Sequence, residues 1–167
     1  MRALAALDLR LLRLLRTRGH SPPVEAVAIG LARSGENGLL WYVIAFSGAA
    51  LGGVRRRDAY FRAMTIVLAT LMANTVVKQT VRRARPVLEE ELPALTPVLS
   101  GRSYPSAHSS TSFAGARALS AAGLPAPPLY VVAAAMALSR PYLGVHYPSD
   151  IVAGAALGDA VARFMTP

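Results

Sequence analysis

Long stretches without a formal charge constrain this chain more than any other feature. Residues 37–54, 63–77, 103–116, 118–139 and 141–149 carry no Asp, Glu, Lys or Arg. A helix needs about 20 largely apolar residues to cross the hydrocarbon core of a bilayer. Candidate spans therefore fall at 38–54, 60–78, 106–122, 125–140 and 148–165, with a shorter one at 22–35. Charged residues make up 16 % of the chain, where soluble domains average about 25 %. The 167 residues suffice for one domain, and the mean hydropathy is +0.39. The absence of Cys rules out disulfide frameworks, thiol catalysis and zinc-thiolate sites. A net charge of +9 alone could suit nucleic acid, but the uncharged stretches exclude a soluble binder of it.

The pattern predicts an all-α fold: an integral membrane helical bundle of about six transmembrane helices, with an N-terminal interfacial amphipathic helix. Gly48 and Gly52, and again Gly154 and Gly158, sit four residues apart. That spacing lets helices approach closely in lipid, or reflects ordinary small-residue composition. Trp41, Tyr42, Tyr60 and Phe61 lie near span ends, where interfacial aromatics gather. Residues 1–20 form the amphipathic segment. Leu4, Leu7, Leu11, Leu14 and Leu15 recur at helical spacing with Arg10, Arg13 and Arg16 between them, as in a helix lying on anionic lipid. Arginines inside the apolar run argue against a secretory signal. Five Arg in the first 20 residues and Arg55, Arg56, Arg57 and Arg62 in the next connection both read as cytoplasmic. This requires two crossings between them, hence six spans with both ends inside and the connections at 83–105 and 141–148 outside.

Those two connections hold the unusual polar residues: Lys78 with Arg85 and Pro86, then Pro105-Ser106-Ala107-His108, then Ser139-Arg140, His146 and Asp150. Lys78, the sole Lys, together with Arg85 and Arg140 supplies three cations, and the guanidinium fork matches phosphate oxygens two at a time. Pro105 suits a first helical turn, which would leave the N–H groups of Ser106, Ala107 and His108 unpaired as an anion site. Histidine works as base, acid or nucleophile near neutral pH. Pro148 is placed to open the last helix, which puts Asp150 within reach of His146, where a carboxylate fixes the imidazole tautomer. His20 and Arg117 read as solvated or snorkelling residues. Glu89-Glu90-Glu91 reads as a solvated loop face, and no metal site is expected.

The three groups resemble the signature motifs of the type 2 phosphatidic acid phosphatase superfamily, which holds membrane lipid phosphate phosphatases and soluble vanadium haloperoxidases. The likeness rests on Lys78-x6-Arg85-Pro86, Pro105-Ser106-x-His108 and Ser139-Arg140-x5-His146-x3-Asp150. Ala107 stands where the family often has Gly. The resemblance implies His146 as nucleophile through a phosphohistidine, Asp150 as its orienting carboxylate, and His108 as acid and then base. It implies Lys78, Arg85, Ser106, Ala107 and Arg140 as the phosphate cradle, with no metal or other cofactor. It makes residues 21–167 a single membrane-embedded lipid phosphatase domain acting on a lipid phosphate among membrane lipids. A polyprenyl phosphate or diphosphate is the favoured substrate by analogy. Phosphatidate, phosphatidylglycerol phosphate and decaprenylphosphoryl phosphoribose are the alternatives, and a haloperoxidase or a non-catalytic lipid-binding scaffold is more remote. The expected location is the bacterial cytoplasmic membrane, with the site on the extracytoplasmic side.

Overall fold

The computed structural model describes residues 2–87, 94–97 and 101–166. Seven α-helices follow one another in this part: α1 Arg2–Thr17, α2 Pro22–Ser34, α3 Leu39–Leu51, α4 Val54–Val81, α5 Ala107–Ala121, α6 Ala126–Tyr142 and α7 Pro148–Met165. A 3-10 turn, Glu36–Gly38, joins α2 to α3. Each expected span has a helix at its place. The Glu89–Glu91 run lies outside the described residues.

Local chemistry sets the boundaries. Pro22 opens α2 and Pro148 opens α7, at the position where a missing N–H costs nothing. Ser106 caps α5, its hydroxyl accepting the Ser109 N–H at 3.4 Å. Pro105 therefore stands just before the cap rather than in the first turn, because a serine side chain satisfies an orphan donor and proline cannot. Arg82 ends α4 in the left-handed region at φ 55°. Among the described residues, α4 alone, at 28 residues, is both long and apolar enough to cross a membrane by length and composition. The 13 residues of α3 and the 15 of α5 reach about 20 and 22 Å.

Small residues let these helices pack closely. A Cβ on Gly158 would lie 2.0 Å from the Ser110 carbonyl oxygen, and one on Gly154 2.6 Å from that of Ser106. The α7 glycines therefore seat α5 backbone directly. Gly48 and Gly52 instead receive the Tyr60 ring, and Gly115 receives Trp41. Trp41 is fully buried and donates its indole N–H to Ser112 at 3.1 Å. Trp41 and Tyr60 are thus core residues and not interfacial aromatics, because the glycines opposite them leave room for the rings.

The packing also shows how α2 and α3 follow one another along the bundle. His20, just before α2, stacks on Tyr142 at the end of α6 with ring centroids 4.0 Å apart, and bonds Glu25 at 3.0 Å. It is held by neighbours, not solvated. Gly35, just after α2, abuts Met136 and His108. Tyr142 and Met136 are six residues apart on α6, or about 9 Å, so α2 descends only part-way. Gly38 then meets Val67 and Thr111, and Gly52 meets Tyr60 further down. Hence α2, the 3-10 turn and α3 make one broken crossing of the bundle, and α4 to α7 run its length four more times.

The end of the bundle bearing the N-termini of α5 and α7 also holds α1, whose Asp8 bonds Ser149 at 2.9 Å. Arg55 and Arg62 lie at the other end, in a cleft with Ala121, Ala122 and Thr166. The two basic segments assigned to one face thus stand at opposite ends. Hydropathy could not show that a turn of irregular backbone interrupts the first crossing.

Candidate active site

The site is set by four local devices. Lys78 occupies the last turn of α4. Residues 83–85 run extended and pair with 101–103: Ser103 N–H donates to the Arg83 carbonyl at 2.8 Å, and Arg85 N–H to that of Gly101 at 3.2 Å. In an extended segment, side chains two apart share a face, so Arg83 and Arg85 both turn toward the start of α7. The N-terminus of α5 brings Ala107 and His108, and the C-terminal turn of α6 brings Arg140.

Lys78, Arg85, Ala107, His108, Arg140 and His146 line one cavity of about 270 Å³. Six of the eight residues singled out from the sequence thus converge. The other two, Ser106 and Asp150, are fully buried behind it. The Ser106 N–H is committed to the Asp150 carbonyl at 3.0 Å. Of the three amides expected to meet an anion, those of Ala107 and His108 remain without an intrahelical acceptor.

The hydrogen bonds assign the histidine tautomers. Arg85 Nη1 lies 3.1 Å from His146 Nε2 and 2.7 Å from the Val145 carbonyl. A guanidinium only donates, so Nε2 carries the lone pair and Nδ1 the proton. Nδ1 faces Asp150 Oδ2 at 3.5 Å, an ion-pair distance longer than a normal hydrogen bond. His108 Nε2 lies 2.8 Å from the Ala32 carbonyl, which only accepts, so His108 keeps its lone pair on Nδ1. Burial, together with the cations Arg85 and Arg140, pushes the His146 imidazole down to about 4 against the pull of Asp150. At neutral pH the ring is therefore uncharged, with an unprotonated Nε2 that accepts from Arg85. Arg140 is buried, and its Nε has no hydrogen-bond partner among the described residues. Concentrated positive charge beside a neutral imidazole is chemistry for a tetrahedral oxyanion.

Comparison with known proteins gives the family. The profile of the PAP2 superfamily matches residues 59–167. The chain belongs to the PAP2 superfamily. The decaprenylphosphoryl-5-phosphoribose phosphatase of Mycobacterium tuberculosis H37Rv is 40 % identical over 150 residues, covering 86 % of this chain and 80 % of the relative. The enzyme of the same name from Mycolicibacterium smegmatis is 38 % identical over 134 residues, covering 80 % and 72 %. Two solved structures share the fold at 22 % identity. Aquifex aeolicus LpxE has a TM-score of 0.77, covering 95 % of this chain and 94 % of its own. The transmembrane PAP2-type phosphatidylglycerolphosphate phosphatase of Bacillus subtilis has 0.79, covering 99 % and 85 %.

This PAP2 chain also builds its site from residues that the motifs do not mark. Asn74 lines the cavity and donates to the Pro105 carbonyl at 3.2 Å and to Ser110 Oγ at 2.9 Å, fixing the start of α5. A lone Asn within an uncharged window carries no signal of its own. Glu36 and Asn37, from the break between α2 and α3, line the cavity mouth. Irregular backbone at such depth is tolerated where it borders a cavity. Arg83 donates to Asp150 Oδ1 at 2.8 Å. Its spacing from Arg85 was the available clue. Arg117, read as solvated, pairs with Asp159 at 3.1 Å.

Proposed function

We propose that this chain is a membrane-embedded lipid phosphatase that hydrolyses a phosphomonoester through a phosphohistidine on His146. The convergence of His146, His108, Lys78, Arg85 and Arg140 on one cavity carries this reading. The Nε2 lone pair attacks phosphorus in line with the ester oxygen. Arg85 turns from Nε2 to a phosphoryl oxygen as the phosphate enters. Arg140, Lys78 and the N–H groups of Ala107 and His108 take the charge that grows on the oxygens. His108 Nδ1, which holds a lone pair at rest, takes the proton of the incoming phosphomonoester monoanion and passes it to the departing alkoxide, and the same nitrogen then takes a proton from the water that releases phosphate. Fixed side-chain cations fill the place of a divalent ion, so turnover is expected to survive EDTA.

The favoured substrate is a lipid-linked phosphosugar, of the class named for the mycobacterial relatives, in place of the polyprenyl phosphate or diphosphate expected from the sequence. Glu36 and Asn37 at the mouth support this choice. A carboxylate beside a phosphate cradle repels a bare anion but accepts hydrogen bonds from sugar hydroxyls. The site end is proposed to face the extracytoplasmic side, on the strength of Arg55, Arg56, Arg57 and Arg62 at the other end. The five arginines of residues 1–20, at the site end, weigh against it. Impermeant labelling of a Cys at position 96 in intact cells tests this, and labelling only after lysis reverses it.

Phosphate release by purified protein in EDTA is the deciding assay. The panel is a polyprenylphosphoryl-5-phosphopentose, a polyprenyl diphosphate, phosphatidate and phosphatidylglycerol phosphate. The phosphopentose lipid should give the highest kcat/KM, with acid-labile, alkali-stable phosphate trapped on the enzyme. No release from any member, or an absolute need for added metal, refutes the reading.

A further inference from the structure

Asp8 is the one acid in residues 1–20, on a helix whose Leu4, Leu7, Leu11 and Leu14 face outward. Yet it is only 4 % exposed. Burying a carboxylate costs several kcal/mol unless it is paired, and Asp8 is paired on every side. Its Oδ1 accepts the Ser149 N–H at 2.9 Å. Its Oδ2 accepts the Ser149 hydroxyl at 2.5 Å and Arg83 Nη2 at 2.8 Å. The other guanidinium nitrogen of Arg83 reaches Ser149 Oγ at 2.7 Å and Asp150 Oδ1 at 2.8 Å. The Tyr147 ring lies 3.9 Å beneath the guanidinium carbon. Asp150 Oδ2 accepts the Tyr147 N–H at 2.9 Å and faces His146.

We infer that Asp8 and Arg83 are positioning residues that hold Asp150 against His146 and set its charge, making the N-terminal helix part of the catalytic apparatus. This rests on His146 being the nucleophile. The charge count gives the reason. Asp150 bound to Arg83 alone is a neutral pair, with nothing left to balance a phosphorylated imidazolium. Asp8 adds a second carboxylate, so the triad Asp8, Arg83 and Asp150 carries one net negative charge beside the ring. The two bonds from Arg83 also fix the direction of Oδ1, and with it that of Oδ2. Burial opposes the Asp8 charge, but the bonds from Ser149 and Arg83 outweigh it and hold its carboxyl below the ordinary value.

The opposed variants Asp8→Asn and Arg83→Gln test this. Each should lower kcat by about 10- to 100-fold with KM within about twofold, the range for residues that orient a catalytic group. Their effects on His146 should differ in sign. Protein carrying 15N-histidine shows only three imidazoles, and removing the negative charge of Asp8 should move the His146 titration down. Removing the positive charge of Arg83 should move it up. His146 also faces Arg85 on the extended segment, Arg140 on α6, His108 on α5 and Lys78 on α4, and the variants leave these unchanged. Leu12→Ala, which removes a fully buried contact of the same helix, separates docking from positioning: its His146 titration should match wild type. If Asp8→Asn does not fold, Arg83→Gln alone carries the test. A kcat within about twofold of wild type in either variant, or equal titrations in all three, overturns the inference. Phosphate release by His146→Ala would instead refute the nucleophile itself, a different failure.

Discussion

Two basic clefts face away from each other across the bundle, of about 270 Å³ at the end holding His146 and about 320 Å³ at the other. The second is lined by Arg55, Asp58 and Arg62 among alanines and Ile66. Its charged side chains are exposed. Nearby, Arg117 and Arg163 share Asp159 at 3.1 and 2.7 Å. Pairs of that kind contribute about 0–1 kcal/mol each. At the first cleft the cations are partly or wholly buried, and the Arg140 Nε is unpartnered among the described residues. Net positive charge is common to both ends. Burial, which removes competing water, and two oriented imidazoles belong to one alone. The difference teaches that a phosphate site here is made by desolvating cations, not by gathering them.

Substitutions should reproduce this contrast in order of size. His146→Ala is expected to lower turnover by about 10⁴-fold or more while the helical circular dichroism persists. A smaller loss would equalise the two clefts chemically. Arg140→Ala should cost about 10²- to 10³-fold in kcat, with little recovery in Arg140→Lys, since an ammonium lacks the planar fork. Glu36→Gln should cost about 10-fold in kcat/KM for a phosphosugar lipid, as loss of one charged hydrogen bond implies, and raise it for phosphatidate, measured side by side, since the repelling charge is gone. Arg55→Ala with Arg62→Ala should change turnover by less than about twofold. A large loss there would show that the exposed cleft also takes part.

Acidity sharpens the same contrast. Folded His146 titrates near 4 because it is buried among cations, whereas an unfolded imidazole titrates near ~6.5. Between those values the unfolded chain binds the extra proton and the native chain does not. Stability therefore falls as pH drops through that window and is fully present above it. Thermal unfolding from pH 8 to pH 4 should show a fall that His146→Gln reduces. An unchanged slope would place the ring in a wetter setting.

Much of this was legible in the chain itself. Ser106 and Pro148 mark helix starts by their own hydrogen-bonding capacity, and the uncharged windows mark the helices. Six of the eight site residues converge because their spacing along three short segments leaves few other ways to face one another. What was missed is long-range. Asp8 and Ser149 meet across 141 residues, and no local period connects them. The assignment of both basic segments to one face failed for a related reason: Arg-rich α1 is docked beside the site by a buried carboxylate, which counting arginines does not see.

The sequence by itself therefore determined where helices begin and end and which cations and imidazoles gather at one cavity. These follow from interactions within a few residues, repeated at the helical period. Only the tertiary structure decided that the first crossing is broken beside the cavity, that α1 shares the site's end, and that Arg83 ties Asp8 to Asp150. Those arrangements depend on which buried charges find partners, and partners are chosen by packing in three dimensions.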